Sequence, residues 1–217
     1  MRGMTWHQHE RAQLAQALSA VPPDAPTLCE GWQARHLAAH VVLREGSALV
    51  GAGVAVPALS ARAERAIQEL ADSAAGEGPY RDLVARVAAP PAAWHPMSWA
   101  GEQTNLVELF VHTEDVRRGA GPVAPRELEP ALVEALWRQL LRAAPLRLRK
   151  PGVGVVLVRP DGVRRHVTKA RGDHGTVVVR GDVGELLLHA FGRGRAAEVA
   201  VEGAAHDVET LERLLPV

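Results

Sequence analysis

Cysteine is nearly missing from this chain of 217 residues: Cys29 stands alone. A single thiol cannot close an internal disulfide, which excludes the disulfide-stapled secreted scaffolds and fits a reducing compartment. Lysine is almost as scarce, Lys150 and Lys169 standing against 23 arginines (25 − 2), and aromatic residues make up only 4%. With the many alanines, this reads as compositional bias rather than function. Net charge is missing too, since 25 basic side chains balance 25 acidic ones. Residues 149–217 carry 11 basic and 9 acidic groups, so no basic tail hides in the average. A general nucleic-acid binder held by phosphate contacts is therefore not expected. Nor is there a long apolar run. The longest uncharged stretch, residues 46–61, has 16 residues, is broken by Gly51, Gly53 and Pro57, and is too short to cross a bilayer. The first residues, Met-Arg-Gly-Met and then Thr5-Trp6-His7-Gln8-His9-Glu10, lack the apolar core of a secretory signal. The expectation is a soluble, cytoplasmic protein with no nucleic-acid or membrane partner, acting on a small molecule as a monomer or homodimer.

What is present reads first as helices. Thr5 is placed to cap a helix bearing Leu14, Ala17 and Leu18, which Pro22, Pro23 and Pro26 stop. A second begins near Trp32 or Gln33 and carries Leu37, His40, Val41 and Arg44 at steps of three and four. Residues 60–75 and Tyr80 to Val87 give two more. Another opens around Gln103–Asn105 and runs through Glu108 and His112 to Gly119. Pro125 then begins a helix with Leu128, Leu132, Ala135, Leu136 and Leu140 as its buried stripe. Beyond Lys150 the pattern changes. Strand-like runs at 152–158, 163–168, 176–179 and 198–201 are interleaved with helices opening at Asp182 and Asp207. The prediction is an α+β protein: an antiparallel four-helix bundle over 1–148 and a small α/β domain over 149–217.

The segment that carries chemistry is Asn105-Leu106-Val107-Glu108-Leu109-Phe110-Val111-His112-Thr113-Glu114-Asp115. Glu108 and His112 are four residues apart, so on a helix they share one face with Cβ atoms ~5–6 Å apart. Asp115 adds a carboxylate to that face. Glu-x3-His alone fits a solvated ion pair as well as a metal site. The apolar neighbours alter the balance, because a buried glutamate and histidine need partners and a divalent cation satisfies both. The candidate third ligand is His40, inside Leu37-Ala38-Ala39-His40-Val41-Val42-Leu43, although a lone histidine on an apolar face is otherwise a satisfied core residue. His36, one turn earlier, is a further candidate whose flank reads as exposed. Three protein ligands leave one position of a catalytic ion open.

Other features have plainer readings. Cys29 lacks a local basic neighbour to lower its pKa and reads as a packing residue, with Trp32 as a core anchor beside it. Trp94, His95 and Trp99 lie in a Pro-rich loop, as a pocket wall or a hydrophobic lid. Glu114, Arg117 and Arg118 read as a solvated helix end, with either arginine an alternative anion contact. No role is assigned to His7, His9, His166, His174, His189 or His206.

Thr27-Leu28-Cys29-Glu30-Gly31-Trp32, then Leu37-Ala38-Ala39-His40, then Glu108-x3-His112-x2-Asp115, then Glu185-Leu186-Leu187-Leu188-His189-Ala190-Phe191-Gly192-Arg193 together resemble the DinB/YfiT-like metalloprotein superfamily. More narrowly, they are similar to its mycothiol-dependent maleylpyruvate isomerase branch and that branch's metal-binding relatives. The resemblance spans most of the chain. It implies a DinB-like bundle followed by a C-terminal domain of the sterol-carrier-protein type. It also implies that His40, Glu108 and His112 hold a divalent metal, zinc above all, with Asp115 beside it as a carboxylate that supports a ligand or orients the substrate. Arg193 matches a position where the isomerases place an arginine against an anionic substrate or thiol. His36 departs from the pattern, because relatives carry an acidic residue there. The implied activity uses a low-molecular-weight thiol such as mycothiol as cosubstrate. In an isomerase the thiolate adds to a substrate double bond, the bond rotates and the thiolate leaves; in an S-transferase it displaces a leaving group. The alternative is a metal- or ligand-binding protein without turnover.

Overall fold

The computed structural model describes residues 5–46, 57–90, 102–149 and 152–215. Among these, eight α-helices and a four-stranded mixed sheet make the chain α+β. No helix is long and apolar enough to cross a membrane among the described residues. The chain divides into two compact units, Met1–Gly121 and Pro122–Val217.

The first unit is helical: α1 (Trp6–Ser19), α2 (Ala34–Gly46), α3 (Pro57–Ser73), α4 (Glu77–Ala88) and α5 (Glu102–Arg117). Thr5 opens α1, and its backbone N–H donates to Gln8 Oε1 at 3.0 Å, satisfying a donor that no helical turn can reach. Leu14 and Leu18 of α1 and Leu37 of α2 are fully buried in the common core. α1 packs on α4 and α5, while α2 packs on α3 and α4. A buried ion pair ties α1 to α2: Arg11 donates from Nη2 to Glu45 Oε1 at 2.5 Å and from Nη1 to Oε2 at 2.9 Å. The same Nη1 reaches the Val87 carbonyl at the end of α4. Paired and hydrogen-bonded in this way, the two charges fix helix register where an unpaired one would be costly.

Between α1 and α2, residues 20–33 fold back over the end of α5. Leu28 N–H donates to the Asp115 carbonyl at 3.0 Å. Gly119 permits the crossing, since a Cβ there would collide with the Pro26 carbonyl.

The second unit contains α6 (Pro130–Arg147), β1 (Gly154–Val158), β2 (Arg164–Thr168), β3 (Thr176–Arg180), α7 (Val183–Ala190), a single 3-10 turn at Gly194–Ala196, β4 (Ala200–Glu202) and α8 (Ala205–Leu214). The sheet order is β2-β1-β3-β4, with β1 and β3 parallel and both outer pairs antiparallel. β1 is buried along its whole length, as expected for a central strand. Leu186, Leu187 and Leu188 of α7 are fully buried, and α6 packs against α7 and β2.

One expectation changes here. The helix anticipated from Pro125 starts at Pro130, leaving Leu128 outside it. That helix falls in the same compact unit as the sheet, a unit that begins at Pro122. Its buried stripe of Leu132, Leu136 and Leu140 is the one anticipated.

Candidate metal centre

His40 comes from the middle of α2, and Glu108, His112 and Asp115 from successive turns of α5. Leu106, Val107, Leu109, Phe110 and Val111 are buried around them, which fixes the face that α5 presents. His40 Nε2, Glu108 Oε1 and His112 Nε2 converge, so that one donor atom from each residue lies within 4.8 Å of the others. Glu108 Oε1 is 3.4 Å from His40 Nε2 and 3.8 Å from His112 Nε2. A tetrahedral ion with ligands at ~2.0–2.1 Å separates those ligands by roughly 3.3 Å. The donor set and its spacing therefore fit a small divalent cation.

The surroundings hold these atoms in place. Asp115 is fully buried, and its Oδ2 lies 2.8 Å from His112 Nδ1. With the ring proton on Nδ1, the Nε2 lone pair of His112 is turned toward Glu108 and His40, the usual way a carboxylate orients a metal-binding imidazole. Arg44, one turn beyond His40 on α2, places Nη2 2.5 Å from Glu108 Oε2 and 3.3 Å from Asn105 Oδ1. The ring of Trp32 lies 5.1 Å from that of His40. His40 Nδ1 is buried and has no hydrogen-bond partner among the described residues, whereas Asp115 anchors His112.

The protonation states follow from the same contacts. Burial alone would lower the His112 pKa, but hydrogen bonds to Asp115 and Cys29 and the Glu108 charge push it up to about 10. Without a cation, the His112 imidazolium thus supplies the positive charge that the carboxylates require. Burial likewise works to raise Glu108, but the His40 hydrogen bond and the charges of His112 and Arg44 outweigh it and hold the carboxyl below its ordinary value. A cation entering this site displaces a proton.

Cys29 is the residue that local sequence reasoning missed. Its Sγ donates to Asp115 Oδ2 at 3.2 Å, across 86 positions of sequence. The Leu-Cys-Glu-Gly-Trp segment delivers it as a clamped turn: Gly31 takes a φ of 75°, Thr27 Oγ1 donates to the Trp32 carbonyl at 2.7 Å, and the Cys29 N–H donates to Thr27 Oγ1 at 3.2 Å. Cys29, His112 and Asp115 form a second convergent group, but it needs His112 Nδ1, which the fully buried Asp115 already holds. The Nε2-facing group is the better cation site, because Glu108 keeps 23% of its side-chain surface exposed and gives access.

Other expected features are placed differently. His36 is buried rather than exposed, and its Nδ1 accepts from the Gln33 N–H at 3.2 Å at the start of α2. Burial and the Arg35 charge lower its pKa. It belongs to none of the convergent donor groups among the described residues. Glu114 and Arg118 are not a solvated end but a buried pair, with Nε 2.7 Å from Oε2; Arg117 adds contacts to both carboxylate oxygens. Arg193 lies in the second unit, where Nη1 donates to the Phe191 carbonyl at 2.7 Å. Trp94, His95 and Trp99 fall outside the described residues.

No protein-family model and no curated protein matches the sequence. The structure is similar to the crystal structure of a mycothiol-dependent maleylpyruvate isomerase, with a TM-score of 0.58 and 19% identity over 91% of this chain and 90% of that one. A histidine-to-alanine mutant of such an isomerase matches with the same TM-score and coverage at 18% identity. At this level of identity the chain shares their fold, across both units.

Proposed function

We propose that this chain is a divalent-metal-binding, low-molecular-weight-thiol-dependent enzyme, an isomerase or S-transferase of the DinB/YfiT-like superfamily. His40, Glu108 and His112 are its metal ligands, zinc is the favoured ion, and mycothiol or a similar thiol is the cosubstrate. The observation that carries the reading is the convergence of three donor atoms from two helices with a buried carboxylate behind one of them. The fold shared with a mycothiol-dependent isomerase supports the thiol. This reading takes the helical unit as DinB-like, the second unit as sterol-carrier-protein-like, and the setting as cytoplasmic.

Two imidazoles and one carboxylate leave a divalent ion with net positive charge and an open position, which lowers the pKa of a bound thiol or water. The chain's residues arrange the rest. Asp115 holds the His112 ring proton on Nδ1 and keeps Nε2 available. Arg44 engages Glu108 Oε2, so Oε1 is the oxygen that faces the histidines. Cys29 is committed to Asp115 and is the sole cysteine, so the reacting sulfur comes from outside. Arg193 keeps, as a separate proposal, the contact with an anionic group that the resemblance implies; unchanged activity in Arg193→Ala would remove it.

Elemental analysis of protein purified without chelator tests the metal reading. One divalent ion per chain should be lost in His112→Ala and in Glu108→Ala. Wild-type protein that takes up no ion at these residues after zinc reloading overturns it. If that ion is present and no electrophile forms a conjugate or isomerises with mycothiol or bacillithiol, the non-catalytic metal-binding reading replaces the enzyme.

A further inference from the structure

The second unit holds another convergence of donor atoms, built from His174 and His206, which carry no expected role, and from Asp207, expected only to open a helix. Asp207 sits in the first turn of α8, and its side chain is essentially fully buried. Oδ2 accepts from the Gly175 N–H at 2.9 Å. The fit depends on glycine, since a Cβ at position 175 would lie 2.9 Å from that same oxygen. The carboxylate is thereby fixed, and Oδ1 is left facing two imidazoles. His174 Nδ1, from the residue pair leading into β3, lies 2.9 Å away, and His206 Nε2 lies 3.2 Å away. The two rings are stacked, with centroids 6.3 Å apart. One donor atom from each of the three residues lies within 4.8 Å of the other two.

His206 and Asp207 are neighbours in sequence, and adjacent residues on a helix point well apart. Convergence therefore requires the His206 ring to turn back toward the carboxylate, as it does. Asp207 and His174 alone would suffice to tether α8 to the start of β3, so a purely structural tether leaves the His206 contact unexplained. The edges from Oδ1, 2.9 and 3.2 Å, are close to the roughly 3.3 Å expected between ligands of a four-coordinate first-row ion. Two imidazole nitrogens and one carboxylate oxygen suit borderline divalent cations such as zinc, nickel or copper, and not calcium or magnesium. The gradient of exposure is also that of a site filled from solution: Asp207 is sealed below, His174 is half-buried, and 65% of the His206 side chain is exposed. The positive end of α8 opposes a cation, but the Asp207 carboxylate lies in that same turn and offsets it.

We propose that His174 Nδ1, His206 Nε2 and Asp207 Oδ1 form a second divalent transition-metal site, solvent-facing and confined to the second unit. The inference does not depend on the centre at His40, Glu108 and His112.

The test is to count zinc bound by the full chain after equilibrium dialysis, for wild type and for His206→Gln and His112→Ala. His206 is exposed, so glutamine there leaves the Asp207–His174 and Asp207–Gly175 contacts standing and the fold intact, which circular dichroism checks. The expected result is that His206→Gln binds one zinc fewer than wild type, or binds that zinc at least tenfold more weakly, whatever His112→Ala does. Zinc should also shift the His174 and His206 ring resonances of wild type, and the His174 ring should stop responding in His206→Gln. An unchanged zinc count in His206→Gln, or no shift of these rings at stoichiometric zinc, overturns the proposal. Loss of an ion in His206→Gln but not in His112→Ala would leave this site standing and remove the first one.

Discussion

Oδ2 of Asp115 accepts from both the His112 ring and the Cys29 thiol, so one buried oxygen couples a candidate ligand to the sole cysteine. Asp115→Asn removes the charge that keeps the His112 proton on Nδ1, and zinc affinity should fall about 10–100-fold in competition with a chromophoric chelator. Cys29→Ser preserves a donor to the same oxygen and should change that affinity less than about threefold; a complete loss would make Cys29 itself a ligand. A second residue sets a pH response. Burial lowers the His189 pKa from 6.5 to about 4. Because the folded value lies below the unfolded one, this neutral ring contributes its stability fully above about pH 6.5 and loses it as pH falls toward 4. The loss amounts to ~3 kcal/mol. Denaturant midpoints measured from pH 7 to 4 should show the decline, and His189→Gln should flatten it. Helical spacing made Glu108, His112 and Asp115 legible as one face, and His40 legible as an inward polar group on an apolar helix. Cys29 was not legible, because its partner is 86 residues away and no local pattern encodes that contact. Arg44 appeared in the periodic stripe of α2, but only the packing of α2 beside α5 shows that it holds Glu108.

Among the elements, the crossing of residues 20–33 over the end of α5 is the one most open to a single change. Gly119→Ala would drive a Cβ into the Pro26 carbonyl. Backbone must move to relieve it, at a cost of about 1–3 kcal/mol. Since Leu28 and Cys29 are both tied to Asp115, the variant should lower the melting temperature and weaken zinc binding together. Most element boundaries followed from prolines, glycines and periodicity. The start of α6 did not, and the reason is physical. A helix beginning at Pro125 would carry Pro130 in its interior and lose a backbone hydrogen bond there, whereas at the first helical position the missing N–H has no cost. The exposed reading of His36 failed because its polar neighbours in sequence say nothing of α3, whose Glu64, Gln68 and Asp72 act on its ring.

For the whole molecule, the division at Gly121 and Pro122 makes α6 part of the same core as the sheet. A fragment of residues 122–217 keeps Leu132, Leu136 and Leu140 with the leucines of α7 and should give a dispersed amide spectrum. One of residues 149–217 leaves those leucines uncovered and should aggregate or remain unfolded. Equal behaviour of the two fragments would argue against this division. The fold class and the order of elements were legible because the change from helical to alternating periodicity near Lys150 is sharp, whereas the apolar stripe of α6 suits either core. The sheet order has one more consequence. Among the described residues β2 pairs only with β1 and ends the sheet on that side, and Arg164 and Arg165 stand exposed along it. A second molecule adding its own β2 there would bring like charges together across the new ladder. This edge strand is thus guarded by its own guanidinium groups, and crowding of this protein at high concentration should be limited by surfaces other than that edge.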